Sequence, residues 1–63
     1  MRLTDHYLAQ AEAAEVAANN APLDNVRDRN LRSAAAWREM ADRASRTDRL
    51  RAEREAATLE RVS

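Results

Sequence analysis

The sequence contains no glycine, no cysteine and no phenylalanine, and only one proline, Pro22. Without glycine there is no Gly-rich loop to cradle a phosphate. With no cysteine and a single histidine, His6, the chain can build neither a disulfide framework nor a zinc cage. No apolar run approaches the roughly 20 residues that a membrane-spanning helix needs, and none resembles the apolar centre of a signal peptide. Lysine is absent as well. Eleven arginines balance 11 acidic residues, giving a formal net charge of zero. A neutral chain lacks the overall field of a protein built to hold nucleic acid or an anionic membrane. Together these absences lead to the expectation of a cytoplasmic protein with no membrane segment, cofactor or metal.

What the chain has in quantity is alanine, at 15 of its 63 positions. Alanine has the highest intrinsic helix propensity, and the usual interior breakers are missing, so the predicted fold class is all-α. From about residue 4 to about residue 19 nothing interrupts a helix, and Thr4 or Asp5 is placed to cap its start. Spacing at about 100° per residue puts Leu3, Tyr7, Ala11, Ala14, Ala18 and Ala21 on one side, with Gln10 and Ala17 at the edge. Leu8, Ala9, Ala13 and Val16 fall outside that stripe, so the helix is apolar on more than one side. Asn19-Asn20-Ala21-Pro22-Leu23-Asp24 is the one turn signal. Asparagine tolerates the left-handed conformation that ends many helices, and proline suits the first turn of the next. Asp24 would then lie near a helix N-terminus, where the dipole favours negative charge.

A second helix is predicted from about residue 23 to about residue 60, roughly twice the length of the first. The connection over residues 20–22 is short, so the two helices should form an antiparallel hairpin, a single domain over residues 1–63. Leu23, Val26, Asn30, Ser33/Ala34, Trp37, Met40/Ala41, Ala44 and Thr47 recur in alternating steps of three and four, a heptad-like seam. The seam loses its apolar character at Arg51 and Arg54. A weaker stripe of Ala52, Ala56 and Leu59 takes over about a quarter turn away, and Ser45 extends it backwards. Pairing about a turn at residues 20–22 sets Tyr7 opposite residues 34–37, which predicts a Tyr7–Trp37 contact.

The charges on the second helix are regular. Asp28–Arg32, Glu39–Arg43 and Asp42–Arg46 are acid-before-base pairs four apart, each worth about 0.2–0.5 kcal/mol in an isolated helix. Residues 43–54 carry five arginines against two acids. That stripe could track phosphates, but Glu39 and Glu53 interleave it, and the expected reading is a solvated face. His6 beside Asp5 has no second ligand at a useful spacing and reads as an exposed histidine. Glu12 and Glu15, three apart, read as solvated carboxylates, because a di-metal bundle needs Glu-x-x-His sets from several helices. No nucleophile, base and orienting group occur together, so the chain is expected not to be an enzyme.

From about Tyr7 to Glu55 the chain resembles small uncharacterised helical proteins of α-proteobacteria. The resemblance is carried by the first helix YLAQAEAAEVAANNA, the linker PLDNVRDRNL, and RSAAAWREMADRASRTDRLRAERE, most distinctively its Ala-Trp-Arg-Glu-Met-Ala-Asp-Arg portion. It implies a helical hairpin and no established activity, and it carries no catalytic or binding residues.

Few large apolar residues are available to bury, and neither disulfide nor metal can staple so small a chain, so self-association is the expected source of stability. The expected function is a non-enzymatic interaction module, a homodimer in which two hairpins form a four-helix bundle. Leu3, Tyr7, Ala11, Ala14, Leu23, Val26, Trp37, Met40 and Ala44 would supply its inward faces. Two alternatives compete with it. One is a nucleic-acid-associated accessory protein that uses the arginine stripe. The other is a small regulator or antitoxin-like partner whose C-terminal helix, from Thr47 to Ser63, folds on another protein. A membrane-surface role is disfavoured because the second helix is polar around most of its circumference.

Overall fold

The alanine-rich, breaker-free segments on either side of Pro22 each form one continuous helix. The structure, a computed structural model, describes residues 2–62: α1 spans Leu3–Asn20 and α2 spans Asp24–Val62, with no strand among the described residues. The two helices fold back on each other as an all-α hairpin with a longer second arm.

The ends of the helices differ from the sequence expectation in three places. Neither Thr4 nor Asp5 caps α1. Arg2 holds the N-cap position in an extended conformation (φ −74°, ψ 149°) with no side-chain cap, and the His6 N–H donates the first helical bond to the Arg2 carbonyl at 3.1 Å. Thr4 therefore lies inside the first turn, where its Oγ1 is buried without a hydrogen-bond partner. Asp5 still lies in the first turn, where its charge suits the helix dipole.

At the other end of α1, no residue takes a positive φ, so Asn19 and Asn20 do not end the helix by a left-handed turn. Ala21 instead leaves the helix directly in an extended conformation (φ −72°, ψ 129°), its N–H donating to the Ala18 carbonyl at 3.2 Å. The cause is Pro22, whose ring disfavours the helical region for the residue before it. Pro22 itself precedes α2 rather than entering its first turn. The Leu23 carbonyl accepts the first α2 bond, from the Arg27 N–H at 3.0 Å, and Asp24 is the first helical residue. The last turn of α2 holds Arg61, a favourable charge at a C-terminus.

α2 has 39 residues, which at 1.5 Å per residue gives about 58 Å. That length matches the 60 Å long axis of the molecule. The radius of gyration is 17.1 Å, against about 11 Å for a globule of this size. The excess arises because the 18-residue α1, about 27 Å long, flanks only the first half of α2.

Where the helices meet, the buried residues are Ala11, Ala18 and Ala21 from the α1 side and Ala34 and Ala41 from α2. Around them Tyr7, Ala14, Val26, Asn30, Ser33, Trp37, Met40 and Ala44 are half-buried. The steps of three and four in α2 thus mark the face that meets α1 from Val26 to Ala44. Alanine lets the backbones approach closely but contributes little apolar area, so this core is thin. Among the described residues no side chain larger than alanine is fully buried. From Ser45 to Val62 every residue is exposed.

Candidate interaction surface

Trp37 is the centre of the one aromatic cluster among the described residues. Its ring lies 5.8 Å from that of Tyr7 at a tilt of 33°, so the Tyr7–Trp37 contact forms. His6 adds an edge-on contact to Trp37, with centroids 6.1 Å apart and planes at 90°, and also approaches Tyr7 at 5.8 Å. These separations suit tilted and edge-to-face aromatic pairs. His6 remains exposed, yet it is part of this cluster rather than an isolated surface group. Spacing alone did not reveal that, because His6 lies off the apolar stripe of α1.

Beside the cluster, Leu3, Tyr7, Met40 and Ala44 line a shallow groove of about 320 Å³ whose rim includes Arg43 and Arg51. A second groove, of about 450 Å³ and lined mainly by polar groups, runs between Thr4 and Asp5 on α1 and Ser45, Asp48, Arg49 and Ala52 on α2. The start of α1 thus lies beside the Ser45–Ala52 stretch of α2 without covering it, since every residue of that stretch is exposed.

On the same side as this second groove, Arg38 clamps the two helices. Its guanidinium donates to Glu15 Oε1 through Nε at 2.7 Å and through Nη2. Glu15 is thus a cross-helix acceptor, not the freely solvated carboxylate expected from its spacing with Glu12. Arg27 pairs with Asp24 at 3.9 Å. The regular pairs Asp28–Arg32, Glu39–Arg43 and Asp42–Arg46 are not closed among the described residues. All six side chains are exposed, where an ion pair stabilises too little to fix two long side chains. Thr47 and Thr58 instead return their hydroxyls to the Arg43 and Arg54 carbonyls, at 3.0 and 2.9 Å.

The residues expected on inward faces divide into three groups. Ala11 is buried; Tyr7, Ala14, Val26, Trp37, Met40 and Ala44 are half-buried; Leu3 and Leu23 are each 59% exposed and lie outside the core of the hairpin. Leu3 opens α1 at the edge of the groove with Met40 and Ala44, and Leu23 lies in the connection, so neither is covered by the facing helix. Leu8, Val16, Leu31, Leu50, Leu59 and Val62 are also exposed. Among the described residues, no three His, Cys, Asp or Glu side chains are grouped to hold a metal ion, and no helix is long and apolar enough to cross a membrane.

The fold and this surface define a lopsided helical hairpin whose large apolar side chains are mostly uncovered. No family model, curated protein or solved structure matches the chain.

Proposed function

We propose that the chain is a non-enzymatic, self-associating interaction module that works as a homodimer, two hairpins contributing four helices. Its mechanism is mutual burial of apolar faces that one hairpin leaves incomplete, with arginine–carboxylate pairs at the rim setting register. One observation carries this reading: among the described residues only alanines are buried, while eight large apolar side chains are 44–78% exposed. A chain of this size has little stability to spare, and burying part of that exposed surface against a second copy supplies apolar area that one hairpin lacks. The resemblance to small α-proteobacterial helical hairpins belongs to the same proposal and adds no site residue. Sedimentation equilibrium tests it. The expected result is a concentration-dependent mass that rises to twice 7.1 kDa. A fully helical chain that stays monomeric at every concentration would overturn it.

A second reading rests on the unbroken exposure of residues 45–62. In it, this extension docks on a different protein. Amide exchange separates the two readings: rapid exchange of the extension at concentrations where the hairpin is dimeric would favour the heterologous partner.

A further inference from the structure

The quarter-turn stripe of Ala52, Ala56 and Leu59 is the end of a longer line. Traced back through Ser45, it passes Arg49, Asp42, Arg38 and Ala35 to reach Leu31. The nine positions 31, 35, 38, 42, 45, 49, 52, 56 and 59 alternate by four and three without a break, the spacing of a coiled-coil seam. This second seam spans about 42 Å of α2 and lies roughly a quarter turn from the seam that meets α1. Every one of its nine residues is exposed, and α1 reaches the line only from the side, through the Glu15–Arg38 pair and the rims of two grooves.

The seam is also self-complementary when reversed. Laid antiparallel on a second copy with Ser45 at the two-fold axis, Leu31 faces the partner's Leu59 and Ala35 faces the partner's Ala56. Arg38 faces the partner's Ala52, and Asp42 faces the partner's Arg49. The small Ser45 lies where the two backbones cross. Asp42 and Arg49 have no ion-pair partner within the hairpin among the described residues. A parallel pairing would instead set Asp42, Arg49 and Arg38 each against its own copy. Charge therefore selects the antiparallel arrangement. On the outer flank Arg46 meets its own copy and Glu39 meets the partner's Glu53, but there the charges are in solvent and screened by salt.

The shape of the hairpin fits the same arrangement. At the turn end of this side, Leu31, Ala34, Ala35 and Arg38 form a groove of about 260 Å³ with Glu15 and Asn19 of α1. The reversed register delivers the partner's Leu59 and Ala56 to that groove. The Glu15–Arg38 clamp lines the same groove, so the Arg38 charge is already paired within the hairpin where the partner's Ala52 would approach.

We infer that α2 carries a second, antiparallel coiled-coil seam from Leu31 to Leu59 through which two copies pair. The C-terminal extension of each lies as a third helix along the hairpin of the other. This inference rests on the homodimer proposed above and assigns its face, orientation and register.

The test uses the full chain, whose lack of cysteine leaves engineered thiols unambiguous. Ser45→Cys should oxidise to a covalent dimer. Leu31→Cys and Leu59→Cys should cross-link to each other when mixed, more readily than either does alone. Ala35→Glu and Ala56→Arg should each weaken association at least tenfold in sedimentation, and combining them in one chain should restore it, because the two new charges meet across the axis. Helicity measured by circular dichroism on each variant separates loss of pairing from loss of fold. If the native chain is dimeric but Ala35→Glu leaves its mass unchanged and Ser45→Cys does not cross-link, this face is wrong while self-association stands. A native chain that is monomeric throughout overturns both.

Discussion

Replacing Trp37 by alanine probes the hairpin at its largest half-buried side chain. Removing a fully buried tryptophan costs about 3–5 kcal/mol. Trp37 is only half-buried, so about half of that applies. Its ring contacts with Tyr7 and His6, at 5.8 and 6.1 Å, add a contribution on the order of 0.5–1.5 kcal/mol. The expected loss is about 2–4 kcal/mol, set against a total of about 3–9 kcal/mol for a chain this long. In a thermal melt followed by circular dichroism, the midpoint should fall by about 10–30 °C at matched protein concentration. Trp37→Phe should recover most of the loss. Leu50→Ala, on the exposed extension away from both seams, provides the baseline. A Trp37→Ala midpoint no lower than that of Leu50→Ala would refute the claim that the Trp37 cluster organises the fold.

The remaining predictions address the ends, the clamp and the turn. Thr4→Val replaces a buried, unpartnered hydroxyl with a methyl group, so urea unfolding should show a gain of about 1 kcal/mol; a loss would mean that the hydroxyl is satisfied in solution. A double-mutant cycle on Glu15 and Arg38, both partly exposed, should give a coupling of about 0.2–1 kcal/mol that fades at high salt. Coupling unaffected by salt would contradict the exposure of the pair. Pro22→Ala frees Ala21 to be helical, which favours one straight helix across the turn. The scattering radius of gyration at dilutions where the chain is monomeric should rise from 17.1 Å toward the roughly 26 Å of an uninterrupted helix of about 60 residues. An unchanged radius would show that side-chain packing alone holds the turn.

How far the fold is legible in the sequence varies with the kind of signal. The α2 face from Val26 to Ala44 follows from spacing alone, because Trp37 and Met40 stand among alanines in steps of three and four. The Tyr7–Trp37 contact follows once the turn is placed at Pro22. The details of the ends do not follow. Thr4 has the chemistry of a cap, but the helix begins at Leu3 and carries the hydroxyl inward. Asn19 and Asn20 suit a left-handed exit, but the constraint of Pro22 on Ala21 makes that exit unnecessary. Local charge spacing also misleads, since i,i+4 pairs on an exposed face are worth less than the freedom of their side chains. The Glu15–Arg38 clamp joins residues 23 apart and depends on how long side chains reach across the helix pair, which no periodicity encodes. The line from Leu31 to Leu59 is masked for a related reason: Arg38, Asp42 and Arg49 interrupt its apolar character, Arg38 where Glu15 of α1 pairs with it and Asp42 and Arg49 where the proposed reversed copy would make them complementary.

The central claim is that one hairpin leaves its apolar surface unfinished and a second copy completes it. Sedimentation equilibrium of the native chain across a wide concentration range, with helicity recorded on the same samples, tests this most directly. The account predicts a mass rising from 7.1 kDa to twice that value, with helicity rising alongside it. A mass fixed at 7.1 kDa with full helicity at every concentration would contradict it.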